Sequence, residues 1–406
     1  MYQSQEQRRM KQYVCIVLLL SLSLFANAQE NDSTTFAQST DTITFTPTQD
    51  SSALTKADAN IIDRVMQLFE YENGRTSVKY YPSMGIDPAS GMQLGVLSLI
   101  SIAPLENKKI SFYRPTSIST LMTYSTKHWL NLKSDMRIYT KQGFVINNLV
   151  QYQISPDKFY GIGNDTLNTN PIAFDIRDFQ LTGNVSKSIS SVCYLGFTLN
   201  VSHRTYQTRE MSNEDFFPVQ KNKFLLGFGP YFSFDRRDNV NYPTHGEHVT
   251  IDYTYFAPHS EDAYSFFKVD IDAKKFITLY KDYILATQLF LGYSSGDMPF
   301  YSLYQLGGQT RLRGISNKYM YIDKCAYYAQ CELRKHIWNR FGITVFGGVG
   351  NTYETFSDIG NNTLKYVYGA GFRLQSDTKN KINLRIDYGR GSFGDSGIYM
   401  TMREAF

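Results

Sequence analysis

Six histidines (His128, His203, His245, His248, His259 and His336) and four cysteines (Cys15, Cys193, Cys325 and Cys331) are the residues best suited to metal or nucleophilic chemistry. A structural zinc site needs four such ligands at short local spacings, and a hydrolytic triad needs a nucleophile, a base and an orienting acid converging on one face. Neither pattern occurs: the histidines form no ligand-spaced cluster, and nothing around His203 designates a nucleophile. No enzyme activity, metal or cofactor is therefore expected. Cys325 and Cys331 lie six residues apart, which along one strand is about 20 Å and beyond disulfide reach. The charges Lys268, Asp270, Asp272 and Lys274 alternate with Phe267, Val269, Ile271 and Ala273, a pattern that places them on one face of a strand as an internal salt network. A net charge of +4 over 406 residues leaves no electrostatic footprint for nucleic acid.

The elements that must position these groups are extended. The chain is 15% aromatic and only 19% charged, with 31 Tyr and 28 Phe against 2 Trp, a composition suited to strands. A mean hydropathy of -0.34 excludes a bundle of membrane helices. Arg8, Arg9 and Lys11 precede an apolar run from Val14 to Phe25 that ends in Ala26-Asn27-Ala28, the pattern of a secretory signal peptide cleaved after Ala28. Residues 29–57, rich in Ser, Thr, Asp and Gln, read as a disordered periplasmic tail. Over 58–74 the positions Ile61, Ile62, Val65, Met66, Leu68 and Phe69, followed by Gly74, predict a short amphipathic helix.

From residue 75 to 406 apolar residues recur with period two, as in Cys193-Leu195-Phe197-Leu199-Val201 and Ile382-Leu384-Ile386-Tyr388. Repeated alternation in segments long enough to cross a bilayer predicts an all-β fold, a sixteen-stranded antiparallel transmembrane β-barrel, whose last strand covers 397–406. The parity of Cys193, Cys325 and Cys331 puts all three on the lipid face. Long connections after Ser155, Gln207 and Gly296 are expected to face outward, with Phe216, Phe217, Phe300 and Tyr301 exposed on them.

The longest of these connections, between the eleventh and twelfth strands, carries Leu306-Gly307-Gly308-Gln309-Thr310-Arg311-Leu312-Arg313-Gly314-Ile315. It resembles the Val-Arg-Gly-aromatic motif of the BamA/TamA superfamily, the bacterial surface antigen barrels. Phe159-Tyr160-Gly161-Ile162-Gly163-Asn164-Asp165, Asp235-Arg236-Arg237-Asp238 with Tyr242-Pro243-Thr244-His245-Gly246, Glu332-Leu333-Arg334, Tyr368 to Arg373 and Arg385-Ile386-Asp387-Tyr388-Gly389 match the family in the same order. The resemblance covers residues 77–406 and implies a loop inserted into the lumen, its arginine held by acids on neighbouring strands. Carried over, the loop motif is Leu312, Arg313, Gly314 and Ile315, and Glu332 is the first partner. The family's second acid is replaced by Gly348, so the tether is expected to be weakened or rewired, with Asp387 as the candidate second partner. The resemblance also implies a weak seam between the first and last strands; Pro82, which lacks a ladder donor, and the terminal Phe406 are placed there. The stretch from Gln29 to Thr76 is too short for one of the periplasmic modules of family insertases.

These expectations define an outer-membrane protein whose partners are outer-membrane lipid and outer-membrane assembly machinery or a periplasmic partner protein, with no nucleic acid. Assistance in the insertion or export of outer-membrane or surface proteins leads. A solute or substrate conduit and a structural subunit of an outer-membrane complex are the alternatives.

Overall fold

The computed structural model describes residues 70–406 apart from 88–90, 104–114, 141, 165–169, 210–217, 219–222, 261–262, 281, 318, 359–363 and 379. The expected signal peptide, the expected tail and positions 58–69 of the expected helix lie outside the described residues. The end of that helix is corrected. Glu70–Asn73 is a strand, β1, which turns at Gly74 (φ 56°) and pairs back on β2 (Thr76–Asp87). Gly74 thus makes a hairpin turn where a helix stop was expected. A helix pattern ending in Glu70-Tyr71-Glu72-Asn73 is outcompeted there by the free backbone edge of the strand that follows.

Beyond β2 the chain runs through β3 (Gly91–Ile102), β4 (Thr116–Ser125), β5 (Leu130–Tyr139), β6 (Phe144–Phe159), β7 (Ile172–Ser188), β8 (Cys193–Thr208), β9 (Phe224–Asp235), β10 (Gly246–Phe256), β11 (Ser265–Tyr280) and β12 (Tyr283–Asp297). A long connection containing β13 (Tyr304–Gln305) and β14 (Ile322–Asp323) leads to β15 (Cys325–Trp338), β16 (Phe341–Tyr353), β17 (Lys365–Asp377), β18 (Ile382–Gly391) and β19 (Ser396–Met402). All but β13 and β14 belong to one antiparallel sheet of 17 strands. The expected sixteen becomes seventeen through β1. No helix among the described residues is long and apolar enough to cross a membrane.

Alternation gives the sheet two unlike faces. On β8, Leu195, Phe197 and Leu199 are exposed while Thr198 and Arg204 are buried; on β18, Ile386 and Tyr388 are exposed while Arg385 and Asp387 are buried. The exposed face is apolar and the buried face is charged, the reverse of a soluble sandwich and the arrangement of a barrel in lipid. The three cysteines are free. Cys331 is exposed, but Cys325 is buried, its thiol 3.6 Å from the Glu354 carbonyl, because chain following β16 covers the start of β15.

The last strand is shorter than expected. Arg403 adopts φ 66°, its amide donates to the Asn383 carbonyl at 2.7 Å, and residues 403–406 leave the ladder. Phe406 is buried with Phe276 of β11 and Ala286 of β12, so it does not continue β19 as placed from sequence. Pro82 stands in the β2–β3 ladder opposite Val96 without a break in register.

Candidate functional site

The connection from β12 to β15 turns back onto the buried face of the sheet and is fixed at two places. The first seat is aromatic. Phe300 packs edge-on against Phe159, Phe174 and Tyr206, within a buried cluster that includes Ile172, Ile176, Leu303, Tyr319 and Ile322. This corrects the expectation that Phe300 is exposed; Tyr301 is partly buried against the same cluster, and Phe216 and Phe217 lie outside the described residues. An aromatic ring in an outward connection finds more apolar surface by folding inward than by facing water. Polar bonds flank the cluster: Lys268 Nζ donates to the Ser302 carbonyl at 3.0 Å, and the Tyr304 hydroxyl donates to Asp270. Arg204 pairs with Asp178 at 2.6 Å and lies 4.4 Å over the Tyr301 ring. The charges read from 268–274 therefore hold both the loop and the wall, with Asp272 accepting from Gln288 at 2.8 Å and facing Lys274 at 3.0 Å.

The second seat is ionic and contains Arg313, a side chain 1% exposed. Arg313 donates through Nη2 to Glu332 on β15 and through Nη1 to Asp387 on β18, the latter at 2.5 Å, while its guanidinium carbon stands 3.8 Å over the Phe346 ring on β16. Burying a cation demands close anionic partners, and the flat guanidinium satisfies two carboxylates and a ring face at once.

Arg313 does not act alone. Arg334 Nε donates to the other oxygen of Glu332 at 2.9 Å, Arg373 Nη1 to Asp387 at 2.6 Å, and Arg385 Nη1 to Asp387 at 3.1 Å. Glu404 accepts from Arg373 Nε at 2.8 Å and from Asn383 at 2.7 Å, so its carboxylate points inward. Arg334 also reaches the Phe406 backbone oxygen at 3.1 Å, and Arg385 the Gln309 carbonyl at 2.8 Å. Four guanidinium and three carboxylate groups thus join the loop, β15, β17, β18 and the C-terminal segment. Arg334, Arg373 and Arg385 stood in the family-like motifs but had no assigned role; their shared inward parity with Glu332 and Asp387 was the available signal.

Glycines admit the loop. A Cβ on Gly389 would stand 2.2 Å from the Arg313 carbonyl oxygen, and Gly314 itself has φ 137° with β18 backbone at 2.7 Å from any added Cβ. Backbone therefore lies on backbone, and the Gly314 amide donates to the Tyr399 hydroxyl at 3.2 Å. Leu312 and Ile315 are buried with Leu306, Phe290, Tyr304 and Tyr328. At Gly348, where the family acid was expected, a Cβ would come 2.7 Å from Leu312 Cδ2 and 2.8 Å from Gln330 Cβ. The space of the missing acid is filled by Leu312, and the second carboxylate on Arg313 is that of Asp387. The structure therefore brings together Arg313, Glu332 and Asp387 with Leu312, Gly314 and Ile315 around them. Pro82 lies outside this constellation, and Phe406 touches it through its backbone oxygen.

Residues 107–391 match the Omp85 superfamily domain. Among solved structures, BamA from Haemophilus ducreyi lacking POTRA domains 1–3 superposes with a TM-score of 0.50 at 15% identity, over 88% of this chain and 80% of that one. CdiB from Escherichia coli superposes with a TM-score of 0.50 at 12% identity, over 82% of this chain and 63% of that one. The domain match spans β15 to β18, which hold most of the Arg313 constellation, and with more than half of its length in the match this chain belongs to the Omp85 superfamily.

Proposed function

We propose that this outer-membrane barrel, exported by a signal peptide cleaved after Ala28, assists the insertion or export of outer-membrane or surface proteins through a weak seam between β19 and β2. The Arg313 clamp is the observation that carries this reading. It ties the β12–β15 connection to β15 and β18 and reaches the C-terminal segment, so the last strands form a stiff block beside the proposed seam. β19 and β2 lie in contact, with no ladder register between them among the described residues. Long-range bonds between the first strands and the chain's last part, Lys79 and Tyr81 to the Ser376 carbonyl at 3.4 Å each and Arg403 to Asp135 and to Ser117 (2.8 Å), are side-chain contacts. A junction held by side chains gives way at lower cost than one held by a full ladder. Arg313 serves as a tether in this scheme and does not itself handle the client.

The test is photocrosslinking in cells. A photoreactive residue at Tyr80 on β2 or Ile398 on β19, both outward and exposed, should capture outer-membrane polypeptides in transit, whereas one at Phe197 on β8, equally outward, should not. Equal capture at all three positions, or none at any, sinks the seam. If Arg313→Ala protein in a planar bilayer also passes steady current where the parent does not, a conduit gated by the loop replaces it.

A further inference from the structure

The strand registers line up a transverse row of side chains on the outer wall. Glu247 on β10 stands opposite Lys275 on β11, Lys275 opposite Thr287 on β12, Thr287 opposite Cys331 on β15, Cys331 opposite Gly347 on β16, and Gly347 opposite Tyr368 on β17. In the adjacent row Ala273 and Ala329 stand among Leu289 and Val349. Small residues over two rows leave a trough of about 930 Å³ with apolar walls, bounded at one end by Tyr366 and Tyr368. Elsewhere on this face outward positions carry large side chains such as Phe197, Phe228 and Phe372.

The other end of the trough is charged. Lys275 is an outward residue between Ala273 and Ile277, and its Nζ lies 3.8 Å from Glu247 Oε1, beyond hydrogen-bond range. Charge on the lipid face of a barrel is costly unless it meets a partner. Glu247 is one residue from the start of β10, at the sheet end that carries the β9–β10 and β11–β12 connections, while Cys331 and Gly347 are at mid-strand. The trough therefore climbs obliquely from the membrane boundary towards the middle of the wall. Its four strand spacings from β11 to β17 give ~19 Å, close to the ~15 Å depth of one hydrocarbon leaflet.

We propose that this trough is a binding site for a phosphoethanolamine lipid: one acyl chain lies over Thr287, Cys331 and Gly347, the phosphate meets Lys275 and the ammonium meets Glu247. A purely anionic headgroup matches less well, since Glu247 would face a second negative charge.

The protein, reconstituted in vesicles containing phosphatidylethanolamine with a photoreactive acyl chain, is irradiated and its adducts mapped by peptide mass spectrometry. Adducts should concentrate on β15 and β16 around Cys331 and Gly347, and fall on the order of tenfold when the same chain is carried by phosphatidylglycerol or when Glu247→Gln removes the ammonium partner. Gly347→Leu fills the trough and should abolish the preference. An added Cβ there meets only the Val367 carbonyl, at 3.4 Å; should that variant fail to fold, Glu247→Gln and Lys275→Gln, which add no bulk, carry the test. Adducts spread evenly around the wall, or a map unchanged in Glu247→Gln and Lys275→Gln, would overturn the site.

Discussion

At the scale of the residue, Arg313 is the most consequential side chain. Its removal takes one hydrogen-bond donor from each of Glu332 and Asp387 and frees the loop from the wall. Breaking a buried pair costs about 3–5 kcal/mol, an upper bound here because Arg334, Arg373 and Arg385 still partner the two acids. Arg313→Ala should therefore unfold at markedly lower temperature in detergent, read from the shift between folded and unfolded bands on a gel. Unchanged melting would show that the remaining arginines suffice. Arg313→Lys should recover only part of the loss, because an ammonium cannot serve two carboxylates and stack on Phe346 together. Gly389→Ala tests the same contact from the wall side: with the Arg313 carbonyl 2.2 Å from the new Cβ, the loop should be expelled and become protease-sensitive while the strands stay protected. The arginine and its first acid were legible in the sequence through motif and parity. The wider network was less so, since parity says which charges point inward but not which of them meet across four strands.

At the scale of the element, the β9–β10 connection shows how Asp235-Arg236-Arg237-Asp238 and Tyr242-Pro243-Thr244-His245-Gly246 are joined. Arg237 folds back on Asp235 at 2.8 Å, and Asp238 accepts from the Thr244 amide at 2.8 Å, the His245 amide at 3.1 Å and the Thr244 hydroxyl at 2.7 Å. Burial raises the Asp238 carboxyl, but the bonds from Thr244 and His245 outweigh it and hold it below the usual carboxylate range. A folded value below the unfolded one means that this stabilisation is present above the unfolded value and is lost as pH falls through the folded one. The protection factors of the Thr244 and His245 amides, each rate taken relative to the intrinsic rate at the same pH, should accordingly be high at neutral pH and fall in acid, and Asp238→Asn should remove that dependence; pH-independent protection would refute it. The aromatic seat makes a parallel prediction. Phe300→Ala removes a fully buried ring, a loss of about 3–5 kcal/mol, and should loosen the β12–β15 connection at residues 298–305 in hydrogen exchange while leaving the Arg313 end protected. Alternation predicted the strands well, because period two is imposed by the pleat itself. Local patterns, helical spacing at the start and alternation at the end, failed at both ends of the barrel. Glu70–Asn73 took the edge of β2 instead of continuing a helix, and Arg403 turned the last residues inward. These outcomes depend on backbone edges and distant acids that no local pattern contains.

For the whole molecule, the separation in sequence between clamp partners sets an order of events. Arg313 is 19 residues from Glu332 and 74 from Asp387, whereas Arg403 is 268 residues from Asp135. Closing a longer chain segment loses more conformational entropy, and contacts of low sequence separation form sooner. The C-terminal block from β12 to β19, with its loop already pinned, should gain protection first during refolding into detergent micelles, and pulse-labelled exchange that protects β3–β8 before β15–β18 would contradict this. The ion cluster then acts as a nucleus as well as a fastener: a nascent chain carries its own template, a half-built wall of β15–β18 locked by Arg313, against which the earlier strands are added until Arg403 finds Asp135 at the final step.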